Sequence, residues 1–117
     1  MSSFRPYPAT VKRIIDGDTI QVDVDLGFDV HLEDQIVRFY GCNADEHNTP
    51  GGKAAIAWLE TMIKPGDPVQ LVSHGYDKYG ARIDGAITLA DGTDLIAAEI
   101  TAGHAAAWDG KGSKPTT

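Results

Sequence analysis

Polar and apolar residues alternate through the first forty positions of this chain, and the alternation breaks at glycines. Positions 10–24 are rich in Val and Ile with an imperfect period of two, which predicts a strand broken by a turn at 16–18. Leu26-Gly27-Phe28 reads as a hairpin connection. It leads into Asp29–Leu32, which alternates again, and Gln35–Tyr40 predicts the next strand, stopped by Gly41. A polar loop over 42–52 follows, long enough to mark a segment that carries function or disorder. The period then changes. Ala55, Trp58, Leu59, Met62 and Ile63 share one face of a helix predicted over 52–63, ended by Lys64-Pro65-Gly66-Asp67-Pro68. Val69–Ser73 and Ile83–Leu89 predict two more strands, with a turn region at 74–80 between them and an Asp91-Gly92 turn after them. Thr93 or Asp94 can cap a second helix near 95–102, and Gly103 is its stop.

The order is three strands, a helix, two strands, a helix. In a chain this small it predicts a β-rich α+β domain: a five-stranded Greek-key barrel, the OB-fold, with a helix between the third and fourth strands. A split α+β sandwich is the alternative architecture. The 117 residues suffice for one domain with a single core. The ordered part is expected over about 8–109, and the Gly-, Lys-, Pro- and Thr-rich tail at 110–117 is expected to be flexible.

Composition narrows the class. Hydrophobic residues make up 42% and charged residues 23%, ordinary values for a globular protein. The single cysteine, Cys42, permits no internal disulfide. No apolar run approaches a membrane span, and the first eight residues lack the apolar stretch of a signal peptide, so a cytoplasmic monomer is expected. The net charge of −7 argues against a binder that spreads lysine over nucleic acid. It leaves room for a phosphodiester-cleaving enzyme whose site is locally basic and whose carboxylates hold a cation.

Candidate chemistry lies in three stretches. The first is Asp16-Gly17-Asp18-Thr19, two carboxylates around a turn glycine, suited to a hard divalent cation and equally to a plain hairpin turn. The second runs from Val37-Arg38 to Asn43-Ala44-Asp45-Glu46. The third is Asp77-Lys78-Tyr79-Gly80-Ala81-Arg82. In this order the three stretches resemble the motifs of the staphylococcal nuclease (thermonuclease) family: Asp-Gly-Asp-Thr, then Arg with a downstream Asp-Thr-Pro-Glu, then Asp-Lys/Arg-Tyr-Gly-Arg. The resemblance covers about 8–109.

It implies an OB barrel and a calcium-dependent nuclease acting on DNA, with RNA left open as a substrate; single strands are the more accessible substrate for such a pocket. One weakly bound calcium ion would be held by Asp18, Asn43 and Ala44, with Asp16 supporting through water. Arg38 and Arg82 would clamp the scissile phosphate, Glu46 would handle the attacking water, and Lys78, Tyr79 and Trp108 would contact the nucleotide. The assignment suits the chemistry, because arginine's fork matches two phosphate oxygens and phosphoryl transfer needs charge neutralisation and an oriented water.

Several positions depart from the family. Asn43 stands where the family has Asp and offers only a neutral oxygen. Ala44 replaces a threonine that contributes only its backbone carbonyl to the metal. Asp45 replaces a proline and removes a rigid φ. Ala81 holds the family's second arginine position, with Arg82 one residue late. A one-residue shift on a strand turns a side chain to the other face unless a bulge restores it. Two classes of function therefore stay open: an active nuclease, and a nuclease-like OB domain that has lost activity and serves as a nucleic-acid or protein binding module. Arg82 separates them by whether it faces the pocket of Arg38, Asp18 and Glu46.

Overall fold

A computed structural model describes residues 5–78 and 80–115. Five strands close into a barrel: β1 (Pro6–Asp16), β2 (Thr19–Gly27), β3 (Val30–Phe39), β5 (Pro68–Tyr76) and β6 (Ile83–Leu89). Around the barrel the order is β1-β2-β3-β6-β5, with β5 returning to β1. All neighbours run antiparallel except β3 and β6, which run parallel through the pair Arg38 and Asp84. A two-residue strand β4 (Cys42–Asn43) pairs with β7 (Ala106–Ala107). Helices α1 (Pro50–Met62) and α2 (Leu95–Thr101) complete the domain. This is the small OB-like α+β barrel that the order of elements predicts. No helix among the described residues is long and apolar enough to cross a membrane.

The inward residues of the strands form the core. Val11, Ile20, Val22, Val37, Phe39, Leu71 and Ile87 are buried there, joined by Ala55 and Leu59 of α1 and Leu95 of α2. Burying a side chain of this size contributes about 1.5–3 kcal/mol.

The turn expected at 16–18 separates β1 from β2, with Asp16 paired to Thr19 across it. The two expected strands at 29–32 and 35–40 are one. Its interruption is a bulge at Glu33–Asp34, where two residues face one of β2. Asp34 takes a φ of 55°, and its amide donates to Asp23 Oδ1 at 2.8 Å. Lys12 Nζ lies 3.5 Å from Asp23 and 3.7 Å from Asp34, and steadies the bulge.

The helices start at side-chain caps. Thr49 Oγ1 accepts from the Gly52 amide at 3.1 Å, and Pro50 occupies the first turn, so α1 begins two residues before the start expected at residue 52. Asp94 Oδ1 caps α2 through the Ala97 amide at 3.1 Å. Two glycines at the α1 end serve close approach. A Cβ on Gly17 would meet Ala55 and Ala44 at 2.8 and 2.9 Å, and one on Gly52 would run into the Glu46 carbonyl. The Asp16–Asp18 turn, the 44–46 loop and the start of α1 are therefore pressed together, which sets the site.

Candidate functional site

Asp18, at the turn between β1 and β2, is buried and fully engaged. Its Oδ1 accepts from Thr19 Oγ1 at 3.0 Å, and its Oδ2 accepts from the Ala44 amide at 3.0 Å. Arg38 Nη2 stands 3.3 Å from the same Oδ2. Arg38 points into this corner because β3 pairs Arg38 with Thr19, next to Asp18. Its Nη1 donates to the carbonyls of Phe39 at 2.8 Å and Cys42 at 3.0 Å, and its Nη2 donates to Asn43 Oδ1 at 3.2 Å. Main-chain carbonyls thus hold one edge of the guanidinium, while the other edge rests on Asp18 and Asn43.

Asp16 is half-buried, and its carboxyl is raised by burial first, then by Asp18, with a further contribution from Glu46. Asp16, Asp18 and Glu46 therefore share one electrostatic environment. Glu46 is exposed in the loop after β4, and its carbonyl accepts from Thr49 Oγ1 at 2.7 Å and the Thr49 amide at 3.0 Å.

Beyond Arg38 a cavity of about 740 Å³ opens, walled by Arg38, Tyr40, Lys78, Arg82, Asp84 and Trp108 among others. Arg82 faces it together with Arg38, whereas Asp16, Asp18 and Glu46 are not among the residues that line it. The reason is topological: parallel β3–β6 pairing sets Arg38 beside Asp84, and Arg82 lies two residues before Asp84 on the same face. A register irregularity does accompany this placement, but in β5 between Ser73 and Tyr76, where Gly75 has a φ of 103°. Asp77 then organises the turn to β6. Its Oδ1 accepts from the Ala81 amide at 3.0 Å, and its Oδ2 holds Arg82 Nε at 3.2 Å. Tyr79 lies outside the described residues.

Trp108 forms the far wall. Its Nε1 donates to the Lys111 carbonyl at 2.9 Å, and Lys114 Nζ sits 6.0 Å from its ring centroid. The segment after it, expected to fray, curls back: Asn43 Nδ2 donates to the Pro115 carbonyl at 3.1 Å. Tyr40 stacks on His74 with centroids 3.9 Å apart.

A calcium ion implied by the resemblance would be offered oxygen donors by Asp18, Asn43 and the Ala44 carbonyl, with Asp16 beside them; the Ala44 amide itself donates to Asp18 Oδ2. That donor chemistry fits a hard cation. Burial first, and then the charges of Asp18 and Glu46, raise the Asp16 carboxyl. Among the described residues, no three His, Cys, Asp or Glu side chains form a group that could hold a metal ion, so a cation would depend on the mixed set.

One residue of this neighbourhood escaped the sequence reading. Glu99 of α2 lies fully buried, and its carboxyl is pushed up to about 8, by burial first and then by Asp18, against Arg38. It also helps push the buried Cys42 thiol, raised chiefly by burial, up to about 12. The available signal was a charged residue on the apolar stripe of a short helix. Fold and site together define a small closed barrel with an acidic corner and a guanidinium-lined cavity beside it. Neither a protein-family model nor a curated protein sequence matches this chain.

Proposed function

We propose that this chain is a calcium-dependent nuclease that hydrolyses phosphodiester bonds of DNA, and of RNA as a second substrate class, with little sequence selectivity. The carrying observation is that Arg38, Lys78, Arg82 and Trp108 wall one cavity. The same wall carries Asp77, Asp84 and Asp109, so the cations do not make it positive overall. The two guanidinium forks nevertheless suit a phosphate, and an indole wall offers a surface on which an unpaired base can stack. That favours single-stranded substrate.

Each residue then has a task. Arg82, aimed by Asp77, and Arg38, held by two main-chain carbonyls, donate to the phosphoryl oxygens as charge develops on them. Glu46, exposed at the acidic corner, orients the attacking water and accepts its proton. Asp18, Asp16 and Asn43 would hold the calcium ion, which when bound offsets charge on the phosphoryl oxygens. Arg38 Nη2 now spends its hydrogen bonds on Asp18 and Asn43, the same oxygens. A cation held by those oxygens would leave Arg38 Nη2 available to donate to the phosphate.

Cleavage of a single-stranded DNA oligonucleotide by the wild type and by Glu46→Gln, each with calcium and with chelator, tests this reading. Cleavage that requires both calcium and Glu46 supports it. No cleavage by the wild type at high protein concentration, with its circular dichroism native, replaces it with the binding-module reading.

A further inference from the structure

Alternation at the end of β3 turns Phe39 into the core and Tyr40, the next residue, outward. Tyr40 is 53% exposed, yet its ring is seated. It lies flat on the His74 imidazole, with centroids 3.9 Å apart and planes 6° from parallel. The stack spans β6. The Tyr40 amide donates to the Gly85 carbonyl at 2.9 Å, and Gly85 pairs on its other side with Ser73, the residue before His74. Three neighbouring segments therefore orient the Tyr40 ring.

The following residue ties this ring to a second one. The Gly41 carbonyl accepts from the Trp108 amide at 2.9 Å, which extends the β4–β7 pair by one step. Trp108 is fixed in turn by its Nε1 bond to the Lys111 carbonyl. Tyr40 and Trp108 thus stand on adjacent segments, and both wall the cavity that Arg38 and Arg82 face.

The charges around that cavity indicate what two rings add. Arg38, Lys78 and Arg82 share the wall with Asp77, Asp84 and Asp109, and the chain carries a net charge of −7. Charge alone gives a polyanion little affinity here. Stacking on an aromatic face does not depend on net charge, strengthens binding about tenfold or more per base, and accepts any base. A mononucleotide has one base and occupies one ring. Two rings walling one guanidinium pair match two successive bases and the phosphate that joins them.

We propose that Tyr40, seated on His74, is a second base-stacking platform, so that the cavity takes two successive nucleotides of a single strand, one base on Trp108 and the next on Tyr40. The proposal rests on the nuclease reading above for its ligand class and adds the seat of the second nucleotide.

The experiment is a fluorescence-anisotropy titration of a labelled, nuclease-resistant phosphorothioate oligothymidylate with the intact chain in calcium, and its displacement by thymidine monophosphate. The wild type is compared with Tyr40→Phe, which keeps the flat ring, with Tyr40→Leu, which keeps an apolar side chain without it, and with His74→Ala. The quantity read is the gain in affinity from mononucleotide to oligonucleotide. It is expected to fall about tenfold in Tyr40→Leu, to fall by a smaller factor in His74→Ala and to persist in Tyr40→Phe, with circular dichroism native throughout. An equal gain in wild type and Tyr40→Leu overturns the proposal and leaves the nuclease reading intact. A loss in Tyr40→Phe as large as in Tyr40→Leu overturns it, since the hydroxyl and not the ring then binds. Equal weakening of both ligands in Tyr40→Leu also overturns it, since Tyr40 then shapes the cavity as a whole. A wild type that binds neither ligand at millimolar concentration overturns the nuclease reading and this proposal with it.

Discussion

Arg38 Nη2 lies 3.3 Å from Asp18 Oδ2, with the two side chains only 14% and 7% exposed. An ion pair this enclosed is weak support for stability as a whole, but breaking it from one side is costly, because the remaining charge is left in a poor solvent. Arg38→Gln is therefore expected to lower stability by about 3 kcal/mol, read from the urea midpoint. On the nuclease reading the same variant would lack a phosphate donor, so DNA cleavage should fall about 10²-fold or more. An unchanged midpoint would mean that Asp18 is solvated after all.

Glu46→Gln separates activity from folding. Glu46 is exposed, and its links to the fold run through its main-chain carbonyl, which the substitution leaves in place. Stability should stay within about 0.5 kcal/mol of the wild type. On the nuclease reading the cleavage rate should drop about 10²- to 10⁴-fold, because the attacking water would lose its proton acceptor. A single-turnover assay at saturating protein reads this directly; a variant cutting at the wild-type rate removes Glu46 from the mechanism.

Gly52→Ala tests how Glu46 is placed. The new Cβ would collide with the Glu46 carbonyl, a main-chain group that can yield only by shifting the 45–46 loop. A loss of about 1–3 kcal/mol is expected, together with slower cleavage, even though residue 52 touches no substrate. Full activity in a folded Gly52→Ala protein would show that the position of Glu46 matters little.

Stability should decline with rising pH through the titration of Glu99. Its carboxyl is raised from an ordinary value of 4.5 to about 8, burial being the leading cause. Below about pH 4 both folded and unfolded chains carry the proton, and the group has no effect. Between the two values the unfolded chain releases its proton while the folded chain keeps it. Stability then falls as pH rises, by about 1.4 kcal/mol per pH unit, and levels off above the folded value. Asp16, also raised by burial, acts in the same direction at the acid end of the window. Urea midpoints from about pH 5 to about pH 9 should drop more steeply for the wild type than for Glu99→Gln. Parallel profiles would falsify the assignment of a buried neutral Glu99.

Asn43→Asp should act on both sides of residue 43. The amide Nδ2 now donates to the Pro115 carbonyl, and a carboxylate cannot. Hydrogen exchange over 109–115 is expected to quicken. At the same time the oxygens facing Arg38 and Asp18 gain a charge, and calcium affinity should rise about tenfold by titration calorimetry. Unchanged exchange would show that the segment is held by Trp108 and Lys111 alone.

The barrel was legible because its signals are local. Alternation marked the strands, Ala55, Trp58, Leu59, Met62 and Ile63 marked α1, and Asp94 and Gly103 bracketed α2. The strand over 30–39 was read as two because the Glu33–Asp34 bulge imitates a turn: a bulge and a turn share residues at positive φ and differ only in what lies across the ladder. The β4–β7 pair was missed because two residues carry no period, and its partners lie far apart in the chain.

By itself the sequence determined the order of strands and helices, the acidic pair at Asp16 and Asp18, and the arginines at 38 and 82, all written in neighbouring residues and their periodicity. Only the tertiary structure decided that Arg82 faces the cavity of Arg38, because a parallel β3–β6 pairing and the Asp77 turn set its direction. Only the tertiary structure placed Asn43 between Arg38 and Pro115. It alone buried Glu99 with neither carboxyl oxygen hydrogen-bonded, since a helix carries its own periodicity but not the identity of what its buried face will meet.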